Sequence, residues 1–418
     1  MTIDRDEETS TTDFNVGEAT GILDDREEFE GIDPMLSVVL PTKDEEGGIA
    51  ESIEQARAAI QAVGLPGEII VSDSSTDRTP EIARKMGATV VKPDKPGYGY
   101  AYRYAFEHAR GEYIVIGDAD NTYDFRELPE LLPPVLDGSA DIVLGSRLSG
   151  TIEDGAMPWL HKHVGNPILT KFVNVFYSAG ISDAHSGFRV ISRDALDRLD
   201  LKTDGMEFAT EMVVDARSKG LTLEDVPITY HPRTGEAKLN TFHDGWRHVR
   251  FMLLYAPGYL FSIPAIIVAL IGATFMGLSL FDTQFVGSIL GTQFDLFFGL
   301  QMLLVGGVLT LAGIQVGTLG IFLAAITVGN RYPKDTVTRW MNEHLNPNYG
   351  IYIGSVFTLV GSIMMSSRMI TRNVGDLNSL SISATEIVLF ILVVVGVQML
   401  ATGFYARTLL AREGVLET

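Results

Sequence analysis

Asp118 and Asp120 stand one residue apart just beyond Tyr113-Ile114-Val115-Ile116, an apolar run of strand length. Two carboxylates at i and i+2 in a turn can face one hard cation, and Mg²⁺ or Mn²⁺ held in this way keeps coordination sites open for substrate phosphates. The run before them reads as a buried parallel strand, and open α/β sheets bind ligands beyond the carboxyl ends of their strands. Asp118, Ala119 and Asp120 are therefore candidate ligand-binding residues, with Asp118 and Asp120 as the metal ligands. A solvated acidic turn in an acidic protein is the competing reading, and the pair alone does not separate the two.

Other strand ends carry similar chemistry. Pro41-Thr42-Lys43-Asp44-Glu45 follows one apolar run, and Asp73-Ser74-Ser75-Thr76-Asp77-Arg78-Thr79 follows another. Asp73 is placed to accept hydrogen bonds from a base or a ribose, whereas Asp77 or Thr79 suits the cap of a helix starting near Pro80. Gly97-Tyr98-Gly99 would let backbone approach a ligand closely, with Gly97 the candidate contact, but the spaced Gly-Lys-Ser/Thr signature of a P-loop is missing.

The elements that must position these residues alternate in type. Met35 to Leu40, Glu68 to Ser72, Thr89 to Val91, Tyr113 to Ile116 and Asp141 to Leu144 are short apolar or β-branched runs. Helical stretches such as Ile49 to Val63, Tyr98 to Ala109 and Met206 to Lys219 lie among them. This is an α/β pattern of the nucleotide-binding type with a mostly parallel sheet.

The composition then changes. Tyr259 to Leu280, Leu296 to Val328, Tyr349 to Ser367 and Ile387 to Ala406 contain no Asp, Glu, Lys or Arg, so four transmembrane spans are expected, the second tilted or protruding. Lys238, Arg247, Arg250, Arg331, Lys334, Arg339, Arg407 and Arg412 flank the spans on one side, while Arg368 and Arg372 run against the bias. By the positive-inside rule the N-terminal domain faces the cytoplasm of a multi-pass cell-membrane protein. The expected boundaries are an acidic disordered tail at 1–33, the α/β domain at 34–240, an interfacial helix at 241–257 and the spans at 258–418. Phe242 to Phe251 interleaves aromatic and basic residues, as a helix in contact with membrane lipids does. Gly306, Gly307, Gly313, Gly317 and Gly320 suit close helix packing, either within the chain or in a homo-oligomer.

The formal net charge of the 418 residues is -21, and residues 1–33 hold twelve Asp or Glu against two Arg with no apolar h-region for a cleavable signal. Such acidity argues against a nucleic-acid partner. There is no Cys, which removes disulfides, thiolate catalysis and Cys-based zinc sites.

Six motifs occur in the order seen in glycosyltransferase family 2: Leu40-Pro41-Thr42-Lys43-Asp44-Glu45-Glu46, Ser72-Asp73-Ser74-Ser75-Thr76-Asp77, Gly117-Asp118-Ala119-Asp120, Gly145-Ser146-Arg147, Ser186-Gly187-Phe188-Arg189 and Arg233-Thr234-Gly235-Glu236-Ala237-Lys238-Leu239. Over roughly residues 35 to 255 the chain resembles the polyprenyl-phosphate hexose synthases, including archaeal dolichyl-phosphate mannose and glucose synthases. The acidic balance, with ten Lys against twenty-two Arg, resembles that of proteins from salt-adapted archaea. The resemblance implies a GT-A (Rossmann-like) nucleotide-sugar-binding domain, a UDP-glucose or GDP-mannose donor, Mg²⁺ or Mn²⁺, and a polyprenyl or dolichyl phosphate acceptor feeding glycan assembly. It implies that Pro41, Thr42, Glu45 and Asp73 line the nucleoside pocket, that Asp118 and Asp120 hold the diphosphate through the metal, and that Arg147 lies beside the donor diphosphate. Arg233 and Lys238 would close over the donor from a mobile loop.

The chain departs from that family in two places. Thr122, followed by Asp124, stands where mannose synthases have a metal-linked glutamine. Lys162, flanked by His161 and His163, stands in for an arginine that grips the acceptor phosphate. Glu211 occupies the region where relatives with hydroxyl acceptors keep a base. A lipid monophosphate is largely dianionic near pH 7, given a second pKa of about 6, so inverting attack on the anomeric carbon needs no general base. Three rivals make different predictions: a processive polysaccharide synthase, which would carry a Q-x-x-R-W motif absent here; a nucleotidyltransferase, which needs no spans; and a non-catalytic membrane adaptor.

Overall fold

The computed structural model describes residues 33–235, 250, 256–280, 300–326, 335–344, 346–371 and 383–412. The acidic segment 1–32, Lys238 and nearly all of the expected interfacial helix at 241–257 lie outside the described residues.

The sheet is built from β1 (Leu36–Thr42), β2 (Gly67–Asp73), β3 (Thr89–Val91), β4 (Tyr113–Ile116), β5 (Ile142–Ile152), β6 (Arg189–Ser192) and β7 (Leu223–Tyr230). Helices α1 (Ile49–Val63), α2 (Thr79–Lys85) and α3 (Tyr98–Phe106) join the first four strands. Short helices α4 (Leu128–Leu131) and α5 (Pro133–Leu136) precede β5, and α6 (Asn166–Tyr177), α7 (Arg193–Arg198) and α8 (Phe208–Ser218) follow it. Helix α1 forms because Ile49, Ile53, Ala56, Ile60 and Val63 recur at helical spacing; it ends at Gly64, whose φ of 70° turns the chain left-handed.

The strand order is β3-β2-β1-β4-β6-β5-β7. The chain runs outward from β1 to β3 and returns to the other side of β1 as β4, so β1 and β4 flank the point where the winding reverses. A crevice opens beyond the strand ends at such a point. The sheet is mixed rather than uniformly parallel: β6 runs antiparallel to both β4 and β5, while the other pairs are parallel. Strand β5 reaches well past the expected Leu144, because its polar half pairs with β7 through a register shift between Ser146 and Thr151.

Side-chain alternation gives the sheet two buried faces. Leu36, Val38, Leu40, Val71 and Val115 pack with Ile49 and Ile53 of α1, and Val39, Ile70, Ile114 and Ile116 pack with Tyr102 of α3 and Met212 of α8. Strands buried on both sides explain the near-continuous apolar runs in the sequence.

Among the described residues, four helices are long and apolar enough to cross a membrane: Gly258–Ser279, Leu300–Ala324, Asn348–Ile370 and Ala384–Leu409. The glycines on the second span serve contacts within the chain. A Cβ on Gly306 would lie 2.7 Å from Gly272 O, one on Gly313 would lie 2.5 Å from Ala269 N, and one on Gly320 would lie 2.6 Å from Ser262 Oγ. Close backbone approach of this kind is how helices associate without a hydrophobic driving force.

Among the described residues, the α/β domain meets the apolar helices through Tyr259 and the Asp335–Thr338 turn. Tyr259, at the start of the first span, stacks on Phe176 of α6 at 4.5 Å between ring centroids and donates to Val175 O at 2.8 Å. Between the second and third spans, Asp335 is fully buried and accepts from Gly258 N at 3.1 Å and Thr338 Oγ1 at 2.5 Å, and Thr336 donates to Phe176 O. Next to this joint, Trp159, Ile168 and Val175 leave apolar surface exposed along the α6 region.

Candidate active site

The loops after β1 and β2 are knitted together. Asp44 Oδ1 accepts from Thr76 N at 2.7 Å, Asp44 N donates to Ser75 Oγ at 2.7 Å, and Glu45 N donates to Thr79 Oγ1 at 2.9 Å. Asp77 accepts the Thr79 amide at 2.9 Å and also accepts from Glu46 N; it stands one residue before Arg78, the N-cap position of α2, which has no side-chain cap. Asp73, 5% exposed, accepts from Thr42 Oγ1 at 2.8 Å and Ser75 Oγ at 2.6 Å through Oδ1; its Oδ2 has only a 3.3 Å bond from Ser75 N. One oxygen is thus spent on holding the loop and the other has capacity for a ligand hydroxyl or amide. Pro41 and Thr42 close β1 beside it.

The loop before α1 packs directly on the acidic turn. A Cβ on Gly48 would stand 2.8 Å from Ala119 O and 3.4 Å from Asp120 Cα, so only glycine permits that approach. Asp118 follows Gly117, accepts from Tyr98 Oη at 2.9 Å, and has Gly187 of the Ser-Gly-Phe motif against its other oxygen. Burial and the nearby Asp120 carboxylate push the Asp118 carboxyl up to about 7, against the pull of the Tyr98 bond and of Arg233 and Arg147. Asp120 is buried; its Oδ1 accepts from Thr122 N at 3.1 Å and Thr122 Oγ1 at 2.6 Å.

Two arginines supply positive charge here. Arg233 Nη2 donates to Glu45 Oε1 at 2.7 Å, and its Nε lies 3.4 Å from Asp120 Oδ2. Arg147 is buried and grips Asp183 with two bonds, Nε to Oδ2 at 2.7 Å and Nη2 to Oδ1 at 3.0 Å, while its guanidinium lies over the Tyr230 ring at 5.2 Å. The Arg147 pair is internal, not a surface salt bridge. The bond and charge of Arg147 outweigh burial and hold Asp183 below the usual carboxylate range.

Two carboxylates are enough for a divalent cation that keeps its other sites for water and substrate phosphate. No group of three or more His, Cys, Asp or Glu forms a metal cage among the described residues. The side chains nevertheless fit such an ion: two carboxylates stand one residue apart in the turn, Asp120 is buried, and the Arg233 guanidinium already brings a positive charge to it, with Nε 3.4 Å from Asp120 Oδ2.

Other expected site residues have contacts of their own. Gly97 and Gly99 have an internal reason to be glycine, since a Cβ on Gly97 would lie 2.4 Å from Asp204 O and one on Gly99 would lie 2.5 Å from Thr203 O. Both oxygens of Glu211 are committed to that same loop: Oε1 accepts from Lys202 N at 3.0 Å, and Oε2 accepts from Thr203 N at 2.9 Å and Thr203 Oγ1 at 2.6 Å. In this structure Glu211 fastens the loop that supports α3. Lys162, in the wide helical turn His161–Gly165, reaches only Ile152 O at 3.5 Å. Asp124 is paired with Arg126 at 2.7 Å, away from a ligand role. Arg189 of the Ser-Gly-Phe-Arg motif is fully buried and donates to Ser186 O and Ala184 O, so it shapes the motif from behind.

Three residues of the site carried no expectation. Tyr98 and Asp183 have no local signature. Asn121 had one available, because Asn after two turn aspartates is a residue type that tolerates a left-handed backbone.

Residues 37–200 match the model of the family described as glycosyl transferase family 2. The chain is 50% identical over 378 residues, 90% of each chain, to the low-salt glycan biosynthesis hexosyltransferase Agl6 of Haloferax volcanii. It is 32% identical over 210 residues to a dolichyl-phosphate hexose transferase of the same organism, covering 50% of this chain and 89% of that one. Among solved structures, glucosyl-3-phosphoglycerate synthase from Mycobacterium tuberculosis is 24% identical with a TM-score of 0.43, covering 54% of this chain and 80% of that one.

Proposed function

The chain belongs to glycosyl transferase family 2 and is a glycosyltransferase, and from that premise we propose that it moves one hexose from a nucleotide sugar to a polyprenyl or dolichyl phosphate at the membrane surface. The observation that carries this reading is the meeting of Asp118, Asp120, Arg233 and Glu45 beyond the ends of β1 and β4, on a head joined through Tyr259 and Phe176 to four apolar helices.

Asp73 and Thr42 would take the nucleoside of UDP-glucose or GDP-mannose. Asp118 and Asp120 would hold Mg²⁺ or Mn²⁺, which when bound supplies Lewis-acid charge to the departing nucleoside diphosphate. Arg233 gives up its 3.4 Å contact with Asp120 as the donor arrives and turns its charge to the diphosphate. Arg147 stays fixed by Asp183 and adds a preorganised positive field. The acceptor phosphate oxygen bonds to the anomeric carbon as the bond to the donor diphosphate breaks, with inversion. No general base is required, in keeping with Glu211 accepting from Lys202 N, Thr203 N and Thr203 Oγ1. Lys162 and Lys238 are proposed to meet the acceptor phosphate, and the head faces the cytoplasm by the Lys and Arg bias of the loops.

The test is transfer of labelled hexose from a panel of UDP and GDP sugars to dolichyl phosphate in membranes holding the protein. A mild-acid-labile lipid carrying one sugar is expected. A growing polymer would favour a processive synthase, and binding of no nucleotide at all would favour an adaptor.

A further inference from the structure

Asn121 follows Asp120, is not glycine, and has a φ of 63°. Such a backbone is unfavourable for L side chains, and Asn is among the few that adopt it. The residue is buried, and its amide joins three segments. Oδ1 accepts from Ser52 Oγ at 2.8 Å; Nδ2 donates to Glu51 Oε2 at 2.9 Å and to Thr234 Oγ1 at 3.3 Å. Ser52 and Glu51 lie in the first turn of α1, whose preceding Gly48 packs on Ala119. Thr234 follows Arg233, and its amide donates to Asp120 O at 2.9 Å. A carboxylate at Glu51 can only accept, so the amide has one orientation that satisfies all three partners.

We propose that Asn121 is a positioning residue: it locks the Asp118–Asp120 turn against α1 and ties that turn to the Arg233–Thr234 segment, so that the cation seat and the loop carrying Arg233 are coupled. A turn that merely needs a left-handed residue would require the backbone and not the amide. The amide is what touches α1 and Thr234, and the proposal stands on those contacts. It rests on the glycosyltransferase reading for transfer rates, but cation binding tests it separately.

The experiment uses the full chain in detergent, with Mn²⁺ titrated in the presence of UDP or GDP and free Mn²⁺ followed by electron paramagnetic resonance. Asn121→Gly keeps the left-handed backbone and deletes the amide; Asn121→Asp keeps the shape and turns the donors into acceptors facing Glu51. Both should weaken Mn²⁺ binding by about tenfold, the range for residues that orient metal ligands, and should lower kcat more than the donor KM. Thr234→Val, at an exposed position, should lower kcat by roughly two- to threefold and add little on top of Asn121→Gly, since linked residues are not additive. Wild-type Mn²⁺ affinity in Asn121→Gly overturns the proposal. So does an unchanged kcat in Thr234→Val, which keeps the test open even if both Asn121 variants fail to fold. If the wild-type chain binds Mn²⁺ but transfers no hexose, the functional reading fails while the Mn²⁺ comparison still decides the role of Asn121. If it binds no Mn²⁺, the cation seat and this proposal fall together.

Discussion

Arg147 and Arg233 both bring positive charge to bear on Asp118 and are held in contrasting ways. Arg147 comes from the long strand β5 and is buried in a two-bond grip with Asp183; Arg233 comes from the loop after β7, remains partly exposed, and bridges two acidic groups belonging to different loops. The first charge is permanent, because separating it from Asp183 would strand a carboxylate away from water. On the proposed function the second would be exchangeable, because its partners are the groups that a cation and a diphosphate would claim. A site that brought an anionic donor and an anionic acceptor together would need both kinds of charge: a frame that does not move and a counter-ion that can step aside.

Substitutions can break this contrast, and Asp120→Ala should have the largest effect. Hexose transfer should fall by about a thousandfold or more as the metal-linked charge is lost, with the protein still folded in membranes; full activity would remove Asp120 from the site. Arg147→Ala should destabilise the head by about 3–5 kcal/mol, the usual effect of orphaning a buried ion-pair partner, read as a lower thermal midpoint in detergent. Arg147→Lys should not restore it, since an ammonium cannot reproduce two parallel bonds. Arg233→Ala should instead cost less than about 1 kcal/mol of stability, as a partly exposed pair does, yet lower kcat by roughly a hundredfold. If the two arginine variants lost stability alike, the distinction between frame and counter-ion would collapse. Smallest in activity is Glu211→Gln: about 1–2 kcal/mol of stability lost with its charge-assisted bonds to Lys202 and Thr203, and a pH profile of transfer that keeps its shape.

Much of this architecture was legible because burial writes itself into local pattern. Helix α1 has its apolar stripe and its terminating Gly64, and β3 and β4 fall on their β-branched runs. The polar half of β5 and the antiparallel placement of β6 were not legible, since both depend on pairing partners distant in the chain. The acidic pair was marked as a candidate by residue type and spacing. Its surroundings were not: nothing near Arg147 in sequence points to Asp183, and nothing near Glu211 shows that Lys202 and Thr203 bond to its oxygens. Gly97 read as room for a ligand, and the glycines of the second span as close helix packing within the chain or against a second copy; each of those described above faces the chain's own backbone or side chains.

The measurement closest to the central claim is Mn²⁺ affinity, without nucleotide, of the wild-type chain against Arg233→Ala and Asp120→Ala. If Arg233 is the exchangeable counter-ion of the cation seat, its removal should tighten Mn²⁺ binding even as transfer falls, while Asp120→Ala should abolish binding. Weaker Mn²⁺ binding in Arg233→Ala, or undiminished binding in Asp120→Ala, would contradict the account.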